Sequence, residues 1–232
     1  IIKVQKLKSD FVANVSHELR TPLQSIKLGL ETINNGHAAD DAESQKKILP
    51  LVLQQTTRME NIVNDLLSLS RIELQEHIRP NDKIDINEII SHSVDLHQEI
   101  LKKNNIICNI DKKTKDPIIN GDRNRLIEVF NNLIDNAIKY SEKNKKITIT
   151  TRSDDKNLTA IVKDEGIGIS RENIPQITER FFRVNPAKSK EVGGTGLGLA
   201  IVKHIVNQHR AEMNISSEEN KGTTISINFP KS

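Results

Sequence analysis

The chain of 232 residues has no tryptophan, one tyrosine and five phenylalanines, so aromatics make up only 3% of it and its core must rest on Ile, Leu and Val. A single cysteine, Cys108, excludes an intrachain disulfide and favours a reducing compartment. Neither sign of charge dominates. The 34 basic and 31 acidic residues are mixed along the chain and leave a net charge of +3, with no broad basic face for nucleic acid. No apolar run approaches the length that spans a bilayer, and no signal peptide is visible. The chain opens at Ile1, without Met, in the helical-looking IIKVQKLKSDFVANVS. It reads as the interior or C-terminal part of something longer, any sensory or membrane segment lying elsewhere. What is present, 35% hydrophobic and 28% charged residues, suits a soluble protein with much helical surface, in one large domain or two modest ones.

Two long helical patterns fill residues 1 to about 77. In the first, Val4, Leu7, Phe11, Val15, Leu19, Leu23, Ile26 and Leu30 recur at steps of three and four, as one helical face does. Pro22 inside this run lacks a backbone donor and is expected to bend it. Asn34 to Asp41 reads as a turn with Gly36 as a helix stop. The second helix carries Ile48, Leu51, Val52, Met59, Ile62, Val63, Leu66, Leu67 and Leu69, with Pro50 near its start. Such a hairpin cannot bury its seam alone. Two hairpins joined as a dimeric four-helix bundle are the economical solution, and packing on the chain's own second domain is the alternative. Arg79-Pro80-Asn81-Asp82 marks a change of texture. The expected division is 1–78, a connecting segment 79–84, and 85–232. The last part mixes helices near 87–104, 122–140 and 196–209 with strand-like pieces at 106–110, 117–120, 147–150, 158–162, 213–216 and 223–228. That mixture predicts a sheet with helices on one face, an α/β sandwich.

The chemistry sits in short segments. Ser16-His17-Glu18-Leu19-Arg20-Thr21-Pro22 sets an imidazole, nucleophilic near neutral pH, beside a carboxylate that can orient one ring nitrogen and take its proton. Thr21 lies one turn on, where its hydroxyl can hold a water. By spacing alone such a histidine is more often solvated surface. In NNLIDNAIKYS, Asn132, Asn136 and Lys139 share a helix face, beside a stripe of Leu133, Ala137 and Tyr140. Amide oxygens suit a hard cation such as Mg²⁺, and Lys139 offers a point charge to phosphate. Asp164-Glu165-Gly166-Ile167-Gly168 follows a strand. Its glycines let backbone approach a planar ligand, and its aspartate can accept from an exocyclic amine such as adenine's. Gly193-Gly194-Thr195-Gly196-Leu197-Gly198 opens a helix, where successive N–H groups and the helix dipole suit a polyphosphate. It is neither a Walker A loop nor a Rossmann fingerprint. Between them Phe181, Phe182 and Arg183 precede Asn185 to Val192, a segment that reads as a lid over a nucleotide.

The order of these segments decides their meaning. With FVANVSHELRTPL, the paired-Asn helix, DEGIG, the Phe pair and GGTGLGLAIVKHIV in succession, the chain resembles the bacterial two-component sensor histidine kinases nearly end to end. The wording of the motifs is most similar to the phosphate-regulon sensor kinase group. The resemblance implies an α+β protein: an N-terminal helical hairpin forming a dimeric four-helix bundle, then an α/β sandwich of the GHKL (Bergerat) ATP-binding type. It implies that His17 accepts a phosphoryl group from ATP, with Glu18 as base partner and Thr21 positioning water in the reverse reaction. It implies Asn136 as the principal Mg²⁺ ligand assisted by Asn132, with Lys139 and Tyr140 near the nucleotide, and Asp164 reading adenine with Gly166 and Gly168. Arg183 and Gly194, Thr195, Gly196, Leu197 and Gly198 match lid and phosphate-contacting elements. The partners implied are a response regulator receiver domain, docking near Leu28 to Leu30 and Ile48 to Gln55, and a second copy of the chain. The location implied is the cytoplasmic side of an inner-membrane-anchored protein. An ATPase of the wider fold group shared with type II topoisomerases, Hsp90 and MutL explains the nucleotide motifs but gives SHELRTP no purpose. A degenerate, dimeric scaffold is disfavoured by intact His17, Asn136 and Asp164. One departure stands out: His209-Arg210-Ala211 lacks the glycine that relatives place after this helix, so a different local turn is expected.

Overall fold

The computed structural model describes residues 2–35, 41–75, 77–185, 189 and 193–231. Two long helices, α1 (Ile2–Asn35) and α2 (Ala42–Leu74), form the expected hairpin. Both run on through their internal prolines, Pro22 and Pro50. Around Pro22, side chains supply extra bonds to carbonyls one turn back: Thr21 donates to the His17 carbonyl at 3.3 Å and Ser25 to that of Thr21 at 3.2 Å. Helix α2 starts where Asp41 accepts from the Glu43 N–H at 3.1 Å, a side-chain N-cap. Most of the turn read between Asn34 and Asp41, Gly36 included, lies outside the described residues.

The second unit is a two-layer sandwich. Its sheet has the order β2 (Ile107–Lys112), β4 (Lys146–Ser153), β5 (Asn157–Asp164), β7 (Gly222–Pro230), β6 (Glu212–Glu218), parallel only between β2 and β4. Strands β4 and β5 alternate buried and half-buried positions, the period of two that one covered face imposes. Helices α3 (Ile86–Leu96), α5 (Arg123–Lys139) and α6 (Gly198–Gln208) cover that face, with the short α4 (Gln98–Lys103) beside them. Ile147, Ile149, Leu158, Ile227 and Phe229 meet Leu126, Phe130, Ile134, Ile201 and Ile205 in a core of the aliphatic kind the composition demands. Where one helix was expected from 87 to 104, His97 ends α3, its Nδ1 bound to the Ser93 carbonyl at 2.8 Å.

Three expectations change. Asp82–Asp85, read as connecting segment up to residue 84, is strand β1, antiparallel to β3 (Ile118–Gly121), so residues 82–84 pair within the second unit. The seam of α2 is divided along its length: Leu69 and Ile72 are fully buried in the sandwich core with Leu66 against it, whereas Leu28, Leu51 and Leu53 remain exposed. Burial of each such side chain stabilises the docked arrangement by about 1.5–3 kcal/mol. The turn after α6 is not altered by the missing glycine. Arg210 takes the left-handed conformation itself, at φ 53°, and the Schellman bonds form: Arg210 N–H to Asn207 O at 3.0 Å and Ala211 N–H to Val206 O at 3.0 Å.

Candidate functional site

A cavity of about 430 Å³ opens between α5, the end of β5, the glycine loop and the start of α6. Asn132, Asn136 and Lys139 reach it from α5, as their shared helix face predicts, and Tyr140 reaches it from the cap that follows. Asn132 donates through Nδ2 to the Glu128 carbonyl at 2.9 Å, which fixes the amide and leaves its oxygen uncommitted. That oxygen lies so near Gly198 that an added Cβ there would sit 2.5 Å away. Among the described residues no group of three or more His, Cys, Asp and Glu can hold a metal ion. A divalent cation here would therefore rest on the amide oxygen of Asn136, with Asn132, and on oxygens of a ligand, a donor set that fits Mg²⁺. Lys139 is paired with Asp135 at 2.6 Å, and the Tyr140 hydroxyl bonds Ser189 at 3.2 Å.

Asp164 ends β5 on the cavity wall. Its Oδ1 accepts from the N–H of Gly166 at 2.8 Å and of Thr223 at 3.1 Å, which anchors the carboxylate and leaves Oδ2 for a ligand. Burial pushes this carboxyl above the usual range, against the pull of those two N–H groups. The glycines serve close approach. At Gly168, φ 67°, a Cβ would lie 1.9 Å from the Glu218 carbonyl oxygen. Gly166 does not line the cavity; it packs beneath, where a Cβ would lie 2.5 Å from the Tyr140 carbonyl oxygen.

Gly194, Thr195, Gly196 and Gly198 line the opposite side, leading into α6, whose first N–H groups have no side-chain cap. Leu197 points elsewhere: it is fully buried in the core and holds the loop down rather than meeting a ligand. Gly196, φ 76°, accepts from the Phe181 N–H at 2.7 Å, and Phe181 is itself left-handed at φ 63°. The lid read from Asn185 to Val192 falls, apart from Asn185 and Ser189, outside the described residues.

The histidine segment meets this unit from α1. His17 is exposed and lies in a separate groove with Asn14, Arg180 and Phe181, not in the cavity. Glu18, its neighbour, is clamped. Arg183 binds it with two nitrogens, at 3.2 and 2.8 Å, and Arg58 of α2 adds a third bond at 3.3 Å. Arg183 also donates to the Thr195 carbonyl at 2.8 Å and lines the cavity, so one guanidinium joins the two regions. The rings of Phe11 and Phe181 lie 6.0 Å apart, and the Arg180 guanidinium stands 5.1 Å over Phe11 while pairing with Glu73.

Sequence reasoning placed α2 in the hairpin but missed its part in the cavity. Asn61, Asn64 and Asp65 line the cavity, and Thr195 donates to Asp65 at 2.6 Å. The signal was available as a polar stripe: Arg58, Asn61 and Asp65 at i, i+3 and i+7 share one face of an otherwise amphipathic helix.

Comparison with known proteins accords with this arrangement. Residues 7–75 match the His Kinase A (phospho-acceptor) domain, and residues 121–232 match the histidine kinase-, DNA gyrase B- and HSP90-like ATPase domain. The chain is 37% identical over 230 residues to sensor protein kinase WalK of Staphylococcus aureus, covering 98% of this chain and 55% of that protein. The WalK of strain Newman is also 37% identical, with 37% of its length covered, so the chain spans about half or less of these curated relatives. The histidine kinase AdeS of Acinetobacter baumannii superposes with a TM-score of 0.73 at 26% identity, covering 93% of this chain and 98% of that one. The histidine kinase ThkA, solved in complex with the response regulator protein TrrA, gives 0.77 at 25% identity, covering 99% and 64%. These relatives do not bear out the narrower likeness to the phosphate-regulon group, since WalK is a different group. The chain belongs to the bacterial two-component sensor histidine kinases, with a phospho-acceptor helical hairpin followed by a GHKL-type ATP-binding domain.

Proposed function

We propose that this chain is the catalytic core of its kinase: with Mg²⁺-ATP it phosphorylates His17, then passes the phosphoryl group to an aspartate of a response regulator, whose phosphatase it also is. One observation carries the reading. Asp164, Asn136 and the glycine loop converge on a single cavity, and Arg183 links that cavity to Glu18, the neighbour of the candidate acceptor. Asp164 would accept from the adenine amine. The loop N–H groups and the start of α6 would receive the phosphates, with Lys139 adding charge once freed from Asp135. Asn136, with Asn132, would hold Mg²⁺, which would supply charge neutralisation. One His17 nitrogen attacks the γ-phosphorus; the P–N bond forms as the bond to the β-phosphate oxygen breaks, ADP leaves, and Glu18 takes the proton from the other nitrogen. Thr21 positions water for the reverse signal.

Because His17 lies outside the cavity, the transfer needs one unit to turn against the other. The division we propose is a hairpin to residue 78 and a nucleotide domain beginning with β1, with a hinge near Arg79 to Asp82, together with Pro22, gating kinase against phosphatase geometry. Exposed Leu28, Leu30, Leu51 and Leu53 support a second copy and a receiver domain as occupants of the hairpin surface. No described helix is long and apolar enough to cross a membrane; a cytoplasmic position beside an inner-membrane anchor belongs to the same proposal. Incubation with γ-labelled ATP tests it. Acid-labile, alkali-stable label on the protein, lost in His17→Gln, is expected. Phosphate release without labelled protein would indicate an ATPase instead, and no turnover a scaffold.

A further inference from the structure

The cavity has a wall that belongs to the other unit. Helix α2 lends it Asn61, Asn64 and Asp65, and Asp65 accepts the Thr195 hydroxyl hydrogen at 2.6 Å. Thr195 stands between two glycines on the approach to the start of α6, where loop N–H groups gather for an anion. A carboxylate thus occupies a donor that a phosphate oxygen would otherwise use. Its surroundings are poor in free positive charge. Burial pushes the Asp65 carboxyl above its ordinary range, with the Glu128 and Asp135 charges adding to this and the Thr195 bond and Lys139 opposing it. Lys139 is already paired with Asp135, and Arg125 with Glu128 at 3.0 Å. A triphosphate entering this end meets two carboxylates, Asp65 and Asp135, with Glu128 behind them, and Lys139 and Arg125 are already engaged.

We infer that Asp65 is an intramolecular competitor of the nucleotide's phosphates. In the docked arrangement it takes the Thr195 hydroxyl and repels the phosphate chain, and a bound triphosphate displaces it and loosens α2 from the glycine loop. Coupling is reciprocal, so whatever hairpin docking costs nucleotide affinity, nucleotide costs hairpin docking. Two further ion pairs across this boundary, Glu18 with Arg183 and Glu73 with Arg180, join the same two units and are placed to be released with it.

This inference rests on the nucleotide reading above, and titration calorimetry on the full chain separates the two. The probes are the non-hydrolysable triphosphate AMPPNP with Mg²⁺, and adenosine, which has no phosphates. Asp65→Asn, which keeps an acceptor for Thr195 but removes the charge, should tighten AMPPNP by about tenfold and leave adenosine within about twofold. Asp65→Ser, a smaller uncharged replacement, should do the same, and thermal melts of both variants report their folding. AMPPNP affinity unchanged or weakened in both variants, with adenosine still bound, would overturn the competition. Equal tightening for adenosine would also overturn it, since the phosphates would then not be what Asp65 opposes. Failure of wild type and variants to bind either compound overturns the nucleotide reading, and this inference with it.

Discussion

Replacing Arg210 by glycine should stabilise the protein, and the size of the gain follows from one dihedral angle. Arg210 follows α6 at φ 53°, a conformation in which its Cβ crowds the following carbonyl. An L-residue pays roughly 1–2 kcal/mol for this, while glycine in the same place adds about 0.5–1 kcal/mol of backbone entropy to the unfolded chain. The difference is about 0.5–1 kcal/mol in favour of glycine. No contact is lost in exchange, because the residue is exposed and both Schellman bonds come from the backbone. Urea unfolding of the full chain, followed by circular dichroism, should show a higher midpoint for R210G at constant slope. The melting temperature should rise by about 2 °C. R210A isolates the cause: it removes the charge and length but keeps Cβ, so it should not share the gain. R210N should fall between, since Asn105, Asn144 and Asn220 hold comparable angles of 54°, 64° and 62°. If R210A equals R210G, or if R210G lowers the midpoint, the backbone argument is wrong.

Two further outcomes are expected. Asp164→Asn should weaken AMPPNP by roughly 10–100-fold, the worth of a hydrogen bond to a charged acceptor. It should also raise stability without nucleotide at neutral pH: a carboxyl held above its ordinary 3.8 by burial contributes stability at low pH that is lost as pH rises through its folded pKa. Calorimetry and urea unfolding check the two halves. His209 is buried with both ring nitrogens engaged: Nε2 accepts from the Asp122 N–H at 3.0 Å and Nδ1 bonds the Ile205 carbonyl at 2.8 Å. Burial lowers its pKa from 6.5, outweighing the Ile205 bond and Asp122. The unfolded chain then takes up the proton first, so stability is full above about 6.5 and falls as pH drops below it. His209→Gln should flatten that slope in urea midpoints measured from pH 5 to 8; an unchanged slope would remove His209 as its source.

Much of the candidate site was legible because its elements are local. The Asn132, Asn136 and Lys139 face needs only helical periodicity, and Asp164 with Gly168 needs only a strand end followed by a turn that a Cβ would block. Gly166 and Leu197 show where adjacency misleads: both belong to nucleotide motifs, yet one packs under Tyr140 and the other fills the core. Arg58 and Asp65 escaped notice because each gains meaning from a residue far along the chain, Glu18 and Thr195 respectively. The missing glycine after α6 was visible, but its consequence was not: the backbone bonds to Asn207 and Val206 offset the strain, and Arg210 adopted glycine's conformation.

By itself the sequence determined the two-part architecture, the aliphatic core, the nucleotide-binding motifs and the chemistry His17 is suited to, because periodicity, turn residues and side-chain reactivity act over a few neighbouring positions. Only the tertiary structure decided that the end of α2 leaves the hairpin seam to pack in the sandwich core, that Arg183 spans from Thr195 to Glu18, and that Asp65 holds the hydroxyl on the phosphate approach. Those choices depend on which surfaces meet when residues far apart in the chain bury apolar area and pair charges across a boundary.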